Sequence, residues 1–279
     1  MPGYSAIRIK SVLAAAALLA GAGFAQSASS QSAPGGYLAP GEFDVTHVLQ
    51  PAPRKGDPRY DTDRKIFRET RKLIGTPRYE LATNDADYSA PALMRDFSCA
   101  IGVELTPENA PQLLNVVQRA GRDTSAQTGM AKNHYKRERP FVIDKGTICQ
   151  KPDELYDQKN KRMSYDYPSG HTTWGWTWAL VLTSIAPDRA QAILERGRAY
   201  GDSRFVCGAH NESAVEAGMA SASATMVLVQ TKPAYQADLA AARAELAALR
   251  VSGAAPARDC GAEARVLGQR VMPKLKGEW

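Results

Sequence analysis

Apolar side chains recur along the chain at intervals of three and four residues and rarely alternate with polar ones. That period predicts helices rather than strands. The stretch DPRYDTDRKIFRETRKLIG, residues 57–75, carries Tyr60, Ile66, Phe67 and Leu73 at near-helical spacing and stops at Gly75. Residues 76–102 read as a loop followed by a helix. In TPENAPQLLNVVQRAG, Thr106 is the expected N-cap of a helix carrying Leu113, Leu114, Val116 and Val117, with a proline near its start. A further helix is expected over 125–137, ended by Pro140. Residues 141–167, with Pro152 and many charges, read as a long loop. The run SGHTTWGWTWALVLTSIAP predicts a buried helix closed by Pro187. Three more helical patterns follow: DRAQAILERGRAYGDSR is amphipathic, HNESAVEAGMASASATMVLVQ is rich in small residues, and PAYQADLAAARAELAALR is patterned in Ala and Leu. The expected fold is all-α, a single helical-bundle domain with no internal repeat.

The first residues follow a different pattern. Arg8 and Lys10 precede SVLAAAALLAGAGFA, an apolar stretch with small residues near a cleavage point, as in a secretory signal peptide. Cleavage is expected after Ala25, with Ala28 as the alternative. The apolar part is short for a membrane span, and no other stretch reaches about 18 apolar residues. These features predict a periplasmic protein with no stable membrane insertion. Residues 26–56, rich in Ser, Gly, Pro and Ala, read as an irregular N-terminal arm, and 57–279 as the helical domain.

With the leader gone, the formal charge falls from +6 to +4. The basic residues are scattered and no aromatic-basic recognition motif accompanies them, so nucleic acid is not the expected partner. Four cysteines, Cys99, Cys149, Cys207 and Cys260, are too widely spaced for a metal knuckle. In an oxidising compartment an even count suggests two disulfides with three connectivities open, against four buried thiols. Pairing of neighbouring segments favours Cys99–Cys149 with Cys207–Cys260.

Three short motifs carry candidate chemistry. In KNHYKRERP, Lys132 and Arg139 are seven residues apart, about two helical turns, so a continuous helix would project both from one face. In YPSGH, Ser169 and Gly170 stand at a helix start, where free backbone amides favour an anion, and His171 follows. In GDSRFVCGAHNESAVEAG, Arg204 adds a planar guanidinium suited to phosphate oxygens, and His210 follows six residues on. Each has a plain structural explanation by itself: a solvated basic face, an N-cap, a core histidine. Together they describe an oxyanion pocket with two histidines beside it. His47 and His134 lie outside this pattern.

Lys-x6-Arg-Pro, Pro-Ser-Gly-His and Ser-Arg-x5-His, in this order, resemble the three-part signature of the type 2 phosphatidic acid phosphatase (PAP2) superfamily. It includes bacterial class A nonspecific acid phosphatases and vanadium haloperoxidases. The leader, the size, and the contexts TPR at 76–78 and CGAH at 207–210 look most like the class A acid phosphatases. The resemblance implies an all-helical fold and hydrolysis of phosphate monoesters with broad specificity. It implies a phosphohistidine on His210, His171 as general acid, and phosphate held by Lys132, Arg139, Arg204, Ser169 and Gly170. It also implies no required metal or cofactor, and inhibition by inorganic phosphate or vanadate. A homo-oligomer is compatible with it.

The pattern departs at one place. The family continues His-x3-Asp, and here that position holds Ala214. His210 is expected at the start of a helix, where an Asp at i+4 would face its ring, accept the ring N–H and fix its tautomer. Glu212 and Glu216 would lie about 200° and 240° round the helix, and Ser213 is a weak, neutral acceptor. A backbone carbonyl, a water or a residue from elsewhere would have to serve. Two rival readings follow: a vanadate-dependent haloperoxidase sharing the pocket, and a phosphate-binding pseudoenzyme motivated by Ala214.

Overall fold

The computed structural model describes Met1, Gly3 and residues 35–273. The cleavage points after Ala25 and Ala28, and all of the leader except Met1 and Gly3, lie outside the described residues. The fold that follows is that of the unit Gly35–Trp279.

Its described part is helical apart from short turns and one minimal hairpin, as the periodicity predicts. The helices are α1 (Pro58–Thr70), α2 (Pro77–Asn84), α3 (Ala90–Ile101), α4 (Pro111–Tyr135) and α5 (Pro140–Ile143). There follow α6 (Gly170–Ile185), α7 (Ala190–Cys207), α8 (Glu212–Val229), α9 (Pro233–Ser252) and α10 (Cys260–Leu267). Strands β1 (Tyr156–Asp157) and β2 (Arg162–Met163) pair antiparallel, Tyr156 opposite Met163. Among the described residues no helix is long and apolar enough to cross a membrane.

Local chemistry explains the helix starts. Asp57, Thr76 and Ser89 cap α1, α2 and α3 with their side chains, and each is followed by a proline in the first turn, where a missing N–H costs nothing. The structure differs from the periodicity in three places. Residues 77–84 form a helix where a loop was expected. Its apolar stripe is weak, and it is held instead by buried Arg78, which donates to Ser203 Oγ and the Ala199 carbonyl, both at 3.0 Å. The two helices expected between 106 and 137 are one 25-residue helix, α4. Thr106 does not cap it. Thr106 and Asn109 exchange side-chain-to-backbone hydrogen bonds in the preceding turn, and α4 starts at Pro111 after Ala110. The 141–167 loop contains α5, a 3-10 turn at Pro152–Leu155 and the hairpin.

Helix α6 packs against α4, α7 and α8, which is why it is apolar on most sides. Trp178 is fully buried in the main core with Phe97, Leu113, Val117, Leu182 and Tyr200. Close approach needs glycine at both Gly121 and Gly175, among other places: a Cβ at Gly121 would meet the Trp174 ring at 1.5 Å, and one at Gly175 the Tyr200 ring at 2.2 Å. A ladder of threonine hydroxyls registers α4 on α6. Thr124 and Thr177 hydroxyls are 3.0 Å apart, and so are those of Thr128 and Thr173. The next step, four residues along α4 and four back along α6, brings Lys132 to the start of α6. The segment 35–56, irregular except for a 3-10 turn at Val45–His47, docks on α4. The Tyr37 amide donates to Asp123 at 2.7 Å, and the Val45 amide to Gln127 at 2.9 Å.

The disulfides differ from the expected pairing. Cys99 bonds Cys260, and Cys149 bonds Cys207. Sequence proximity misleads because α10 returns to the end of α3 after most of the chain has intervened. The long loop carrying Cys149 meanwhile folds onto the end of α7.

Candidate active site

A cleft of about 720 Å³ opens over the first turn of α6. Lys132, Arg139, Gly170, His171 and His210 all line it, together with Tyr88, Arg122, Ser164 and Trp174. Arg204 lies fully buried nearby.

Lys132 and Arg139 meet for a reason other than a shared helix face. Helix α4 ends at Lys136, which adopts the left-handed conformation (φ 50°), so Arg139 lies beyond the helix. The 136–139 turn carries it back to the cleft. There Arg139 is pinned by the Ser164 carbonyl (2.7 Å), Ser164 Oγ (2.8 Å) and the Ala209 carbonyl (2.8 Å). Lys132 Nζ donates to the Tyr165 carbonyl. Burial, and then the neighbouring Arg139, push the Lys132 ammonium down to about 7. Burial likewise lowers Arg139 and Arg204 to about 10. Arg204 reaches Gln150 with one nitrogen, while its Nε and Nη1 are buried and have no hydrogen-bond partner among the described residues. Buried guanidinium donors without acceptors are costly unless an anion completes them.

Ser169 and Gly170 have separate parts. The Ser169 side chain accepts from the Thr172 amide, making it the N-cap of α6, and its own amide donates to the Ala214 carbonyl at 2.9 Å. Its backbone N–H is therefore already used, contrary to the expectation that it faces an anion. Gly170, the first helical residue, lines the cleft. As first-turn residues of α6, Gly170 and His171 have amides with no acceptor inside the helix.

The two histidines differ in their contacts. His210 precedes α8 rather than lying on it, and Asn211 is the helix N-cap. Position 214 therefore does not lie one helical turn beyond His210 on a common helix, as the sequence predicts. One Arg139 nitrogen lies 3.0 Å from His210 Nε2. Arginine can only donate, so Nε2 carries the lone pair and Nδ1 the hydrogen. Nδ1 is 2.9 Å from Asp166 Oδ1. Burial, then Arg139, Lys132 and Arg204, hold the His210 imidazolium well below the usual histidine range, so the ring is neutral at neutral pH. His171 Nε2 lies 3.2 Å from the Ala86 carbonyl, an acceptor only, and the Tyr88 ring meets the imidazole edge-on at 4.8 Å. Burial, Arg204 and His210 depress His171 as well.

Asp166, Ser164, Gln150, Ala86 and Tyr88 escaped the sequence reading. Asp166 carried the one usable signal: a carboxylate three residues before Ser169, in a segment otherwise headed for the interior. The others act through backbone groups or long-range contacts that leave no pattern. Among the described residues no group of three or more His, Cys, Asp or Glu side chains is placed to hold a metal ion.

This arrangement, a cation-lined pocket at a helix start with two neutral imidazoles facing it, is built from the three motifs. Residues 121–236 match the model of the PAP2 superfamily. The chain is 39% identical over 213 residues to an acid phosphatase of Zymomonas mobilis, covering 76% of this chain and 79% of that protein. It is 37% identical over 199 residues to a non-specific acid phosphatase of Salmonella typhimurium, 71% of this chain and 78% of the relative. A non-specific acid phosphatase of Providencia stuartii is 36% identical over 212 residues, 75% and 83% of the two chains. The chain belongs to the acid phosphatases of the PAP2 superfamily.

Proposed function

We propose that this protein is an exported enzyme that hydrolyses phosphate monoesters of broad leaving-group structure through a phosphohistidine on His210. One observation carries the reading: a neutral imidazole in the cleft lining, held through Nδ1 by Asp166 and through Nε2 by an Arg139 N–H, with Lys132, Arg139 and Arg204 around it. Phosphoryl transfer asks chiefly for positioning and for charge stabilisation over the equatorial oxygens. Lys132, Arg139 and Arg204 supply that charge, and the amides of Gly170 and His171 add donors.

The steps follow from the two tautomers. Nε2 of His210 attacks phosphorus, and the N–P bond forms as the bond to the leaving oxygen breaks. His171, with Nε2 committed to Ala86, gives a proton from Nδ1 to that oxygen. Water then attacks phosphorus and returns a proton to His171, the N–P electron pair goes back to His210, and inorganic phosphate leaves. His171 is neutral in the empty site. A bound phosphate dianion supplies the opposite charge that raises its proton affinity, so substrate binding loads the acid. Both this proton and the one on Lys132 are lost as pH rises, which supports an acid optimum. Export rests on the leader pattern and on two disulfides, which persist in oxidising compartments.

The test is hydrolysis of an aryl phosphate from pH 4 to 8 with chelator present, and acid-quenched trapping of an acid-labile phosphohistidine. Turnover that persists in chelator is expected; loss restored by a divalent ion would defeat the cation-based mechanism. His171→Ala should slow alkyl phosphates about 10²-fold or more, and aryl phosphates with good leaving groups far less. Equal losses on both would remove His171 from the proton-transfer role.

A further inference from the structure

The family's signature places an aspartate four residues after His210, and here that residue is Ala214. Ala214 is fully buried and packs in one cluster with Tyr167, Ala131 and Ala217, so the 166–169 segment lies against it. The first turn of α8, which follows His210, and the approach to α6 are therefore packed on each other.

Asp166, on the approach to α6, stands beside the ring's Nδ1. It is wholly buried, and hydrogen-bond donors surround its carboxylate. Oδ1 faces His210 Nδ1 at 2.9 Å and accepts from the Asn211 amide at 3.1 Å. Oδ2 accepts from Asn211 Nδ2 at 2.7 Å and stands 3.6 Å from Arg137 Nη1. The Asp166 amide donates to the Arg137 carbonyl at 2.8 Å. Arg137 is itself held by Asp63 and Ser213, both at 2.7 Å. Asn211 is held by Arg64, which donates to its side-chain oxygen. The remaining candidates at position 214's end are occupied elsewhere. Ser213 gives its amide and hydroxyl to Asp63 at 3.0 and 2.6 Å, and Glu216 pairs with Arg59 on the surface at 3.5 Å.

We infer that Asp166 is the positioning residue for His210: the orienting carboxylate comes from position 166 instead of position 214. It accepts Nδ1–H, fixes the tautomer that keeps Nε2 unprotonated, so that it can attack once the Arg139 N–H turns from it to the phosphate, and stabilises positive charge on the ring as the N–P bond forms. Ala214 fits that arrangement, because a second carboxylate there would be a buried charge beside Asp166 without a cation of its own. The inference rests on the phosphohistidine reading for its kinetic part but not for its structural part.

The experiment separates the two. With 15N-histidine labelling, four histidines are followed in the full-length protein, and His210 is assigned by its loss in His210→Ala. At pH 7.5 the wild type should show His210 neutral with the hydrogen on Nδ1. A hydrogen on Nε2 would overturn the inference without any variant and without any activity. Asp166→Asn keeps the shape but has one acceptor oxygen for donors that now meet two. It should shift His210 toward the other tautomer and slow single-turnover phosphorylation on an aryl phosphate by about 10²–10⁴-fold, the upper end being the loss when a protease triad carboxylate becomes an amide. KM should change less than threefold. An unchanged tautomer with phosphorylation within threefold of wild type would overturn the assignment. Ala214→Asp should not accelerate the wild type, but should recover at least about tenfold in an Asp166→Ala background. Acceleration of the wild type by Ala214→Asp would mean that an acceptor was missing after all. If no variant, wild type included, forms a phosphoenzyme, the phosphohistidine reading fails while the tautomer still decides for or against Asp166.

Discussion

The molecule buries two clusters of charge, and they are built to opposite rules. On the α2–α7 side, Arg196 is fully buried and ringed by acids: Asp85 at 2.6 Å, Asp96 at 3.6 Å and Glu263 at 3.5 Å. Ser203 Oγ donates to Asp85 at 2.6 Å, and Arg258 pairs with Glu263 at 3.0 Å. These acids outweigh the cost of burial and hold Arg196 above its ordinary pKa. In the cleft, Asp166 is the carboxylate that acts on Lys132 and Arg139, Arg204 feels only Asp85 and Tyr200 from beyond it, and burial leaves all three cations depressed. The same residue types thus form a self-satisfied strut in one place and an unfinished site in the other. Burial alone does not distinguish function from structure; whether the charges close among themselves does. The clusters also touch through one peptide segment: Asp85 anchors the turn whose next residue, Ala86, accepts from His171.

The comparison predicts that the site should break first and hardest at His210, the proposed nucleophile. His210→Ala is expected to abolish phosphoenzyme formation and reduce turnover by at least about 10⁴-fold, as when a nucleophile is deleted from a catalytic unit. Rapid-quench measurement of the phosphoenzyme decides it, and ordinary turnover in the variant would reassign the nucleophile.

Next in size is the strut. Arg196→Leu leaves Asp85, Asp96 and Glu263 without their common partner, and should cost about 3–5 kcal/mol. Denaturant unfolding reads this loss. The inhibition constant for inorganic phosphate in the remaining folded protein should stay within threefold. A loss below about 1 kcal/mol would mean that the acids had not been waiting on this arginine.

Arg204→Ala should do the reverse. Inhibition by phosphate and by vanadate should weaken about 10²–10³-fold, the usual cost of one preorganised donor to an oxyanion. Stability should hold or rise, because a buried cation with two unpartnered nitrogens is gone. Unchanged inhibition would take Arg204 out of the site, and a large fall in stability would make it a strut like Arg196.

The smallest effect is a pH dependence. Lys132 keeps its proton below about 7 and loses it above, whereas an ordinary lysine stays charged to about 10.4. Phosphate binding favours the charged form, so affinity should fall as pH rises from 6.5 to 8.5. The fall should be about tenfold steeper in wild type than in Lys132→Met. Parallel pH profiles would show that Lys132 does not titrate in this range. The sign on stability is opposite: between pH 7 and 10 the unfolded chain binds the extra proton, so the cost of burying this lysine shrinks and stability rises with pH.

What the chain's order of residues determined by itself was the class of structure and the residue types that gather at the cleft. Helical period, prolines after capping residues and one long apolar run are local signals, and they specify an all-helical fold without reference to anything distant. The three motifs likewise named the cations and both histidines, because the residue types an oxyanion requires are few and stand close together in sequence. Tertiary structure alone decided the rest. Arg139 reaches Lys132 through a left-handed turn rather than a helix face, and Ser169 turns its amide to Ala214 rather than to the cleft. The disulfides join segments that meet only after the chain has folded back. The acceptor for His210 comes from 44 residues away. A spacing rule can place two residues on one helix, but the carboxylate that orients this ring belongs to a different segment. Only the packing of α6 against α8 brings the two within hydrogen-bond reach.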